Sequence, residues 1–149
     1  MTEVRFYHMT RTPLEQALPQ MLEKTLERGQ RAVVRAGSEA RVEALSARLW
    51  TYNDRGFLPH GTVKDGRAER QPVWLTVADE VPNGAQVLFL TDGAESENIG
   101  DFSLCVLLFD GGDDEALAQA RAQWKALKEA GHAVSYWQQD EDGRWGQKA

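Results

Sequence analysis

Leu104-Cys105-Val106-Leu107-Leu108-Phe109 is an almost wholly apolar run in the second half of the chain. A strand of this composition is typical of a parallel sheet whose two faces are both covered by helices. The pattern on its carboxyl side predicts a helix over Asp113–Ala130 and a closing strand over Ala133–Gln139. This strand, helix and strand together indicate an α/β fold.

The amino-terminal part repeats the same alternation. Glu3–His8 alternates as a strand that places Val4, Phe6 and His8 on one face. A helix is predicted to follow, with Thr12 as its N-cap and Glu15 completing a capping box. Gly29 ends that helix, and Pro19 lies inside it, where a kink is expected.

A second strand and helix come next. Arg31–Ala36 is predicted as a strand, and Ser38 is expected to cap a helix with an apolar stripe of Val42, Leu45 and Leu49. Trp50 lies about 100° from that stripe, because successive residues turn by that angle in an α-helix. It is therefore expected at the edge of the core or on the surface.

The remaining segments complete the predicted fold. The stretch from Gly61 to Arg70 is polar and predicted as a mobile loop, and Val73–Val77 and Gln86–Thr91 are predicted strands. The chain is expected to form a single domain over residues 1–149, a three-layer α/β/α sandwich with a mostly parallel, mixed sheet. It would be Rossmann-like without a nucleotide-binding loop, because no GxGxxG or GxxxxGK[ST] motif is present. No cofactor is expected.

Composition limits the classes of function. The net charge of −6 argues against a broad duplex-DNA binder, which needs a basic face to neutralise phosphates. No apolar run approaches the roughly 18 residues of a membrane span, and Met1–Phe6 lacks the features of a secretory signal. The single cysteine, Cys105, cannot form an internal disulfide. These features favour a cytoplasmic protein without a membrane partner.

Carboxylates at strand ends offer one enzymatic alternative. Asp92 and Asp110 both follow predicted strands, where α/β hydrolases and nucleases often hold a divalent metal. Asp113, Asp114 and Glu115 have a simpler interpretation, because acidic residues in a first helical turn complement the helix dipole. A metal-dependent nuclease or hydrolase is thus the alternative to a binding protein.

The segment from Leu49 to Gly61 carries two large aromatic residues, Trp50 and Phe57, around a polar turn. Aromatic side chains at the end of an element often form a binding surface, because they bring much contact area for little lost rotamer freedom. They could equally be core residues, or they could pack a homodimer. The pattern alone leaves these alternatives open.

The predicted third helix carries a basic flank on an acidic protein. Arg121, Lys125 and Lys128 each follow a position of the apolar stripe by one residue, so they lie together along its side. Cations beside an apolar groove would suit a ligand with a carboxylate and an apolar side chain, since arginine can bind a carboxylate through two hydrogen bonds. Basic residues near a helix carboxyl end also offset its dipole. The stripe itself consists of Leu117, Ala120, Trp124 and Leu127.

The order of several motifs resembles the chi subunit of bacterial DNA polymerase III, an accessory protein of the clamp loader. These motifs are the LW at Leu49-Trp50, FLPH from Phe57 to His60, QPV from Gln71 to Val73, the helix around Arg121, and the segment from Tyr136 to Trp145. The resemblance implies a non-catalytic replication adaptor. It would bind the psi subunit of the clamp loader and the acidic C-terminal tail of single-stranded DNA-binding protein, and through the latter meet single-stranded DNA indirectly.

The resemblance also implies roles for particular residues. Trp50 and Phe57 match the aromatic pair that the family uses against psi, and the adjacent Leu58 and Pro59 are assigned to the same surface. Arg121 matches the arginine that takes the terminal carboxylate of the tail. The tail site is completed by Lys125 as a supporting cation, Lys128 from helical geometry, and Trp124 from the apolar stripe.

Overall fold

The computed structural model describes residues 2–10, 12–51, 59–142 and 144–149. Within them the chain alternates between strands and helices in the predicted order, with one further short strand at the end. The elements are β1 (Glu3–Met9), α1 (Leu14–Glu27), β2 (Ala32–Arg35), α2 (Glu39–Thr51), β3 (Val73–Thr76), β4 (Val87–Leu90), β5 (Leu104–Asp110), α3 (Asp114–Glu129), β6 (Ala133–Gln139) and β7 (Trp145–Gln147).

The strands form one sheet in the order β3-β2-β4-β5-β1-β6-β7. All neighbouring pairs are parallel except β6 and β7, so the sheet is mixed, as predicted. β1 lies between β5 and β6: Glu3 pairs with Leu104 on one side and with Ala133 on the other. The amino-terminal strand is therefore central.

Both faces of this sheet are covered. The side chains of Tyr7, Val34 and Phe89 pack with α1 and α2 in one apolar cluster. Phe6, Leu88 and Phe109 belong to a second cluster on the other face, against which α3 packs. The alternation of side chains in a strand separates the two clusters. The predicted three-layer α/β/α sandwich is confirmed.

The start of α1 differs from the prediction. Pro13, not Thr12, occupies the N-cap position, and no side chain there accepts a capping hydrogen bond. The Thr12 hydroxyl instead accepts a hydrogen bond from Gln139 Nε2 at 2.8 Å, and the Thr12 backbone N–H donates to Gln139 Oε1 at 3.1 Å. The side-chain amide of Gln139, at the end of β6, thus forms hydrogen bonds with the hydroxyl and backbone N–H of Thr12, which were expected to take part in the capping box. Pro19 lies inside the helix, as predicted.

The second helix follows its sequence signals closely. Ser38 Oγ accepts a hydrogen bond from the backbone N–H of Arg41 at 3.1 Å, which confirms the predicted cap. Val42, Leu45 and Leu49 are buried, whereas Trp50 is 58% exposed. The prediction that Trp50 lies off the core stripe is confirmed.

The third helix is capped by Asp113, whose carboxylate accepts hydrogen bonds from the N–H groups of Glu115 and Ala116 at 2.9 and 3.3 Å. This arrangement matches the interpretation of the first-turn acidic residues as partners of the helix amino terminus. Among the helices in the described part of the chain, none is long and apolar enough to span a membrane.

Candidate functional site

A cavity of about 420 Å³ lies between α3 and the face of the sheet that β1, β5 and β6 present. Its volume falls within the range of about 300–1,000 Å³ typical of ligand sites. Its wall is mainly apolar and aromatic, and it also contains the imidazole of His8 and the guanidinium of Arg121. The lining residues are Phe6, His8, Phe109, Leu117, Ala120, Arg121, Trp124, Tyr136 and Ala149. We call this space the α3 cavity.

Aromatic rings shape the wall of the α3 cavity. Trp124 meets Phe6 edge to face, with ring centroids 5.4 Å apart, and meets Tyr136 edge to face at 6.2 Å. Phe109 lies 6.2 Å from Tyr136. Such T-shaped contacts are the favoured geometry of aromatic pairs. The contacts of Trp124 connect the helix to β1 and β6, and the contact of Phe109 joins β5 to β6, so the rings give the cavity a defined apolar surface.

Arg121 is the cation of the cavity. Its side chain is exposed, and it makes no hydrogen bond or ion pair with any residue that the structure describes. Its charge acts on the Tyr136 hydroxyl. Burial raises the pKa of that phenol, and the positive charge of the Arg121 guanidinium partly lowers it again. Arg121 can therefore offer its donors to an anionic ligand in the cavity.

His8 and Tyr136 form a polar pair inside this wall. A hydrogen bond joins His8 Nδ1 to the Tyr136 hydroxyl, and the two rings meet edge to face at 5.8 Å. Burial lowers the pKa of His8, although the carboxylate of Asp110 opposes this effect. The ring of His8 packs closely against Gly111, because a Cβ atom at that glycine would overlap with His8 Nε2.

The other two basic residues assigned to the tail site lie outside the cavity wall. Lys125 and Lys128 are exposed on α3, one and two turns beyond Arg121. Trp124, the remaining assigned residue, lines the cavity. The structure thus brings Arg121 and Trp124 together in the cavity wall and places the two lysines on the exposed part of the same helix.

The sequence analysis did not assign His8, Tyr136, Phe6 or Phe109 to this site. The alternation of β1 did place Phe6 and His8 on one face, which the structure confirms. Tyr136 joins them only because β6 pairs in parallel with β1, so that Tyr136 is level with Phe6. Strand order was the missing information.

The aromatic surface at the end of α2 is a separate feature. The exposed ring of Trp50 meets the buried imidazole of His60 edge to face at 5.4 Å, and His60 Nε2 is 3.2 Å from Ser46 Oγ. Pro59 beside it is exposed. The predicted contributions of Phe57 and Leu58 to this surface concern residues outside the described part of the chain.

The strand-end aspartates line a second cavity, of about 750 Å³, at the carboxyl ends of β1, β4 and β5. Arg41 occupies its wall and bonds to both Glu15, at 2.7 Å, and Asp92, at 3.2 Å. Asp110 accepts a hydrogen bond from the Gly112 N–H at 2.8 Å. No group of three or more His, Cys, Asp or Glu side chains suited to a metal occurs among the described residues. Of the two strand-end aspartates, Asp92 thus has a guanidinium as its partner and Asp110 has a backbone N–H.

The fold defines the class of the protein: it is a three-layer α/β protein with a mostly parallel sheet and no glycine-rich phosphate-binding motif in its sequence. An exposed aromatic residue at the end of α2 and a cavity beside α3 accompany this fold.

The family model for the DNA polymerase III chi subunit, HolC, matches residues 1–135, and the chain belongs to that family. A relative named probable DNA polymerase III subunit chi, from Rickettsia prowazekii (strain Madrid E), is 29% identical over 90 residues. The match covers 60% of this chain and 54% of the relative, so it spans about half of that protein's length. The resemblance drawn from the sequence motifs is confirmed. The family is one of accessory subunits of the replicative polymerase.

Proposed function

We propose that this chain is a non-catalytic adaptor of the clamp loader, acting in the cytoplasm during DNA replication. One surface binds the psi subunit. The other binds the acidic C-terminal tail of single-stranded DNA-binding protein and so connects the chain indirectly to single-stranded DNA.

The observation that carries this proposal is the α3 cavity with Arg121 in its wall. An apolar aromatic slot next to a cation without an ion-pair partner among the described residues is complementary to a peptide that ends in an aromatic residue. The side chain would fill the slot, and the terminal carboxylate would accept two hydrogen bonds from the guanidinium.

The energies involved suit a reversible contact. Burying a phenylalanine side chain contributes about 2–3 kcal/mol, and a charge-assisted hydrogen bond adds about 1.5–3 kcal/mol. The entropy lost on association offsets much of this sum. We therefore expect a dissociation constant in the micromolar range.

Lys125 and Lys128 would act at longer range. Both are exposed on the same helix as Arg121, so acidic side chains of the tail would meet them before or beside the terminal carboxylate. Interactions between exposed charges are screened by salt. Tail binding is therefore expected to weaken as ionic strength rises.

The proposed psi surface is built on the end of α2. Trp50 presents most of its indole to solvent, whereas the apolar stripe of the same helix is buried. Large exposed aromatic residues are the usual anchors of protein interfaces. Pro59 continues this surface, and Phe57 and Leu58 are assigned to it from the family resemblance alone.

The decisive experiment is a fluorescence-anisotropy titration with a labelled acidic peptide ending in Pro-Phe. Arg121→Ala is expected to weaken binding about 10- to 100-fold, because a charge-assisted hydrogen bond is lost. Arg28→Ala is the matched control: Arg28 is exposed at the end of α1, a helix on the other face of the sheet. Equal affinity of the wild type and Arg121→Ala would refute the site, and no binding by the wild type at low salt would refute the tail-binding role.

A further inference from the structure

The pair formed by His8 and Tyr136 has no role in the recognition described so far, which rests on Arg121 and the aromatic slot. Both residues line the α3 cavity together with Arg121. The charge of Arg121 acts on the Tyr136 hydroxyl, and that hydroxyl is bonded to His8. A hydrogen bond therefore joins two of the three polar side chains, His8 and Tyr136, and Arg121 acts on Tyr136 through its charge.

The position of the proton decides what this group offers to a ligand. When His8 is neutral with its proton on Nε2, Nδ1 accepts the Tyr136 O–H, and the Tyr136 hydroxyl has only its oxygen lone pairs left for a ligand. When His8 is doubly protonated, Nδ1–H donates to the Tyr136 oxygen, and the phenol O–H is free to donate elsewhere. A carboxylate held by Arg121 is the acceptor that this freed hydroxyl would meet.

We propose that Tyr136 is a second carboxylate-binding residue of the α3 cavity and that His8 is the positioning residue that turns the Tyr136 hydroxyl toward the ligand. The proposal rests on the proposed function and names the chemistry that the site selects: a free carboxylate next to an aromatic side chain. Protonation of His8 strengthens binding.

The direction of the pH effect follows from the surroundings of His8. The charged and titratable groups that bond to His8, act on its pKa or line the same cavity include Asp110 at the end of β5, Tyr136 on β6 and Arg121 on α3. Burial lowers the pKa of His8 below 6.5 in the free protein, with Asp110 opposing. An anionic ligand favours the imidazolium and raises this pKa in the complex. Affinity therefore increases as the pH falls from the pKa of His8 in the complex toward its pKa in the free protein. Above the pKa in the complex, affinity is constant.

The peptide itself does not titrate in this window, because its carboxylates have pKa values of about 3.3–4.3. The experiment is therefore the same anisotropy titration at about pH 7.5 and about pH 5.5, which lie on either side of the pKa of an unperturbed histidine. For the wild type we expect roughly fivefold tighter binding at the lower pH, the difference between a neutral and a charge-assisted hydrogen bond.

Three variants distinguish the proposed role from a structural one. Tyr136→Phe keeps the ring and should bind more weakly than the wild type at about pH 5.5, with no increase in affinity between the two pH values. His8→Asn supplies a side-chain N–H that does not titrate and should bind tightly at both pH values. His132→Asn is the control, since this histidine precedes β6 at the end of the sheet opposite to His8 and should leave the wild-type profile intact.

The outcomes separate the two proposals. Two results would overturn the role of His8 and Tyr136 and leave the tail site in place. One is binding that is lost in Arg121→Ala but does not vary with pH, and the other is an affinity at about pH 5.5 that is unchanged in Tyr136→Phe. If the wild type did not bind the peptide at about pH 7.5 or at about pH 5.5, both the tail site and the role of His8 and Tyr136 would be overturned.

Discussion

Gly111 is the residue on which the position of His8 depends. It follows β5, and the imidazole of His8 lies so close to it that a Cβ atom would overlap with Nε2. Glycine is the residue that permits such a close approach. A small residue next to the site therefore determines where a titratable ring lies in the α3 cavity.

Gly111→Ala should displace the His8 ring and break its hydrogen bond to Tyr136. We expect the free energy of unfolding to fall by about 1–3 kcal/mol, the usual cost of overpacking a tight site, together with weaker binding of the acidic peptide. Urea unfolding and the anisotropy titration measure the two effects.

Gly112→Ala is the matched control for this substitution. A Cβ atom at Gly112 would lie 3.4 Å from Asp110 Oδ1, an ordinary contact. If Gly112→Ala and Gly111→Ala were equally stable, the close packing of His8 against Gly111 would not constrain the ring.

Predictions from the sequence were least accurate for the contacts of single residues. Thr12 had the sequence of an N-cap, yet Gln139 binds both its hydroxyl and its backbone N–H. His8 and Tyr136 carry no motif, and they meet only through the pairing of β1 with β6. Contacts between distant residues depend on strand order, which local patterns do not contain.

At the scale of the elements, periodicity was a better guide. The stripes of α2 and α3 and the position of Trp50 off the core stripe followed from helical spacing alone. The same spacing placed Arg121 on the flank of α3, and the structure shows its side chain in the cavity wall. β7 was not predicted as a strand, because three residues after a turn are too few for a periodic signal.

Trp50→Ala tests the surface at the end of α2. The indole is 58% exposed, so its removal should change the free energy of unfolding by less than about 1 kcal/mol. An aromatic anchor at an interface commonly contributes about 2 kcal/mol or more, so co-purification with psi should be lost. Thermal unfolding and a pull-down with psi give the two readouts.

Acidic-peptide binding is the internal control for this variant, because α2 and α3 cover opposite faces of the sheet. Trp50→Ala should bind the peptide normally, and Arg121→Ala should still bind psi. Retention of psi by a folded Trp50→Ala protein would place that interface elsewhere.

At the scale of the whole molecule, the sheet separates the two proposed interfaces. One apolar cluster joins it to α1 and α2, and the other joins it to α3. A ligand in the α3 cavity and a partner on Trp50 therefore share no described lining residue. Sites that are far apart and share no partners usually act independently.

Saturating the chain with psi should accordingly leave its affinity for the acidic peptide unchanged within about twofold, the spread expected for independent sites. Isothermal titration of the peptide into the chain alone and into the complex with psi measures this. A larger change in either direction would show that the two surfaces are coupled through the sheet.

Much of the molecular architecture was predictable from the sequence. The apolar run of β5 and the alternation of strands and helices indicated a covered parallel sheet, and the structure confirms it. The order β3-β2-β4-β5-β1-β6-β7 was not predictable, since the same pattern of elements fits several arrangements. His8 and Tyr136 were not predicted to belong to the candidate site for the same reason.

The central position of β1 has a consequence for how the chain is made. Glu3 pairs with Leu104 and Ala133, so the first strand to leave the ribosome has no neighbour until roughly 100 further residues have been translated, about 5–20 s later at ordinary rates. Until then β2, β3 and β4 can associate, but the middle of the sheet cannot close. β1 is therefore without a strand partner until β5 has been synthesised, and the middle of the sheet closes only when β5 and β6 have followed.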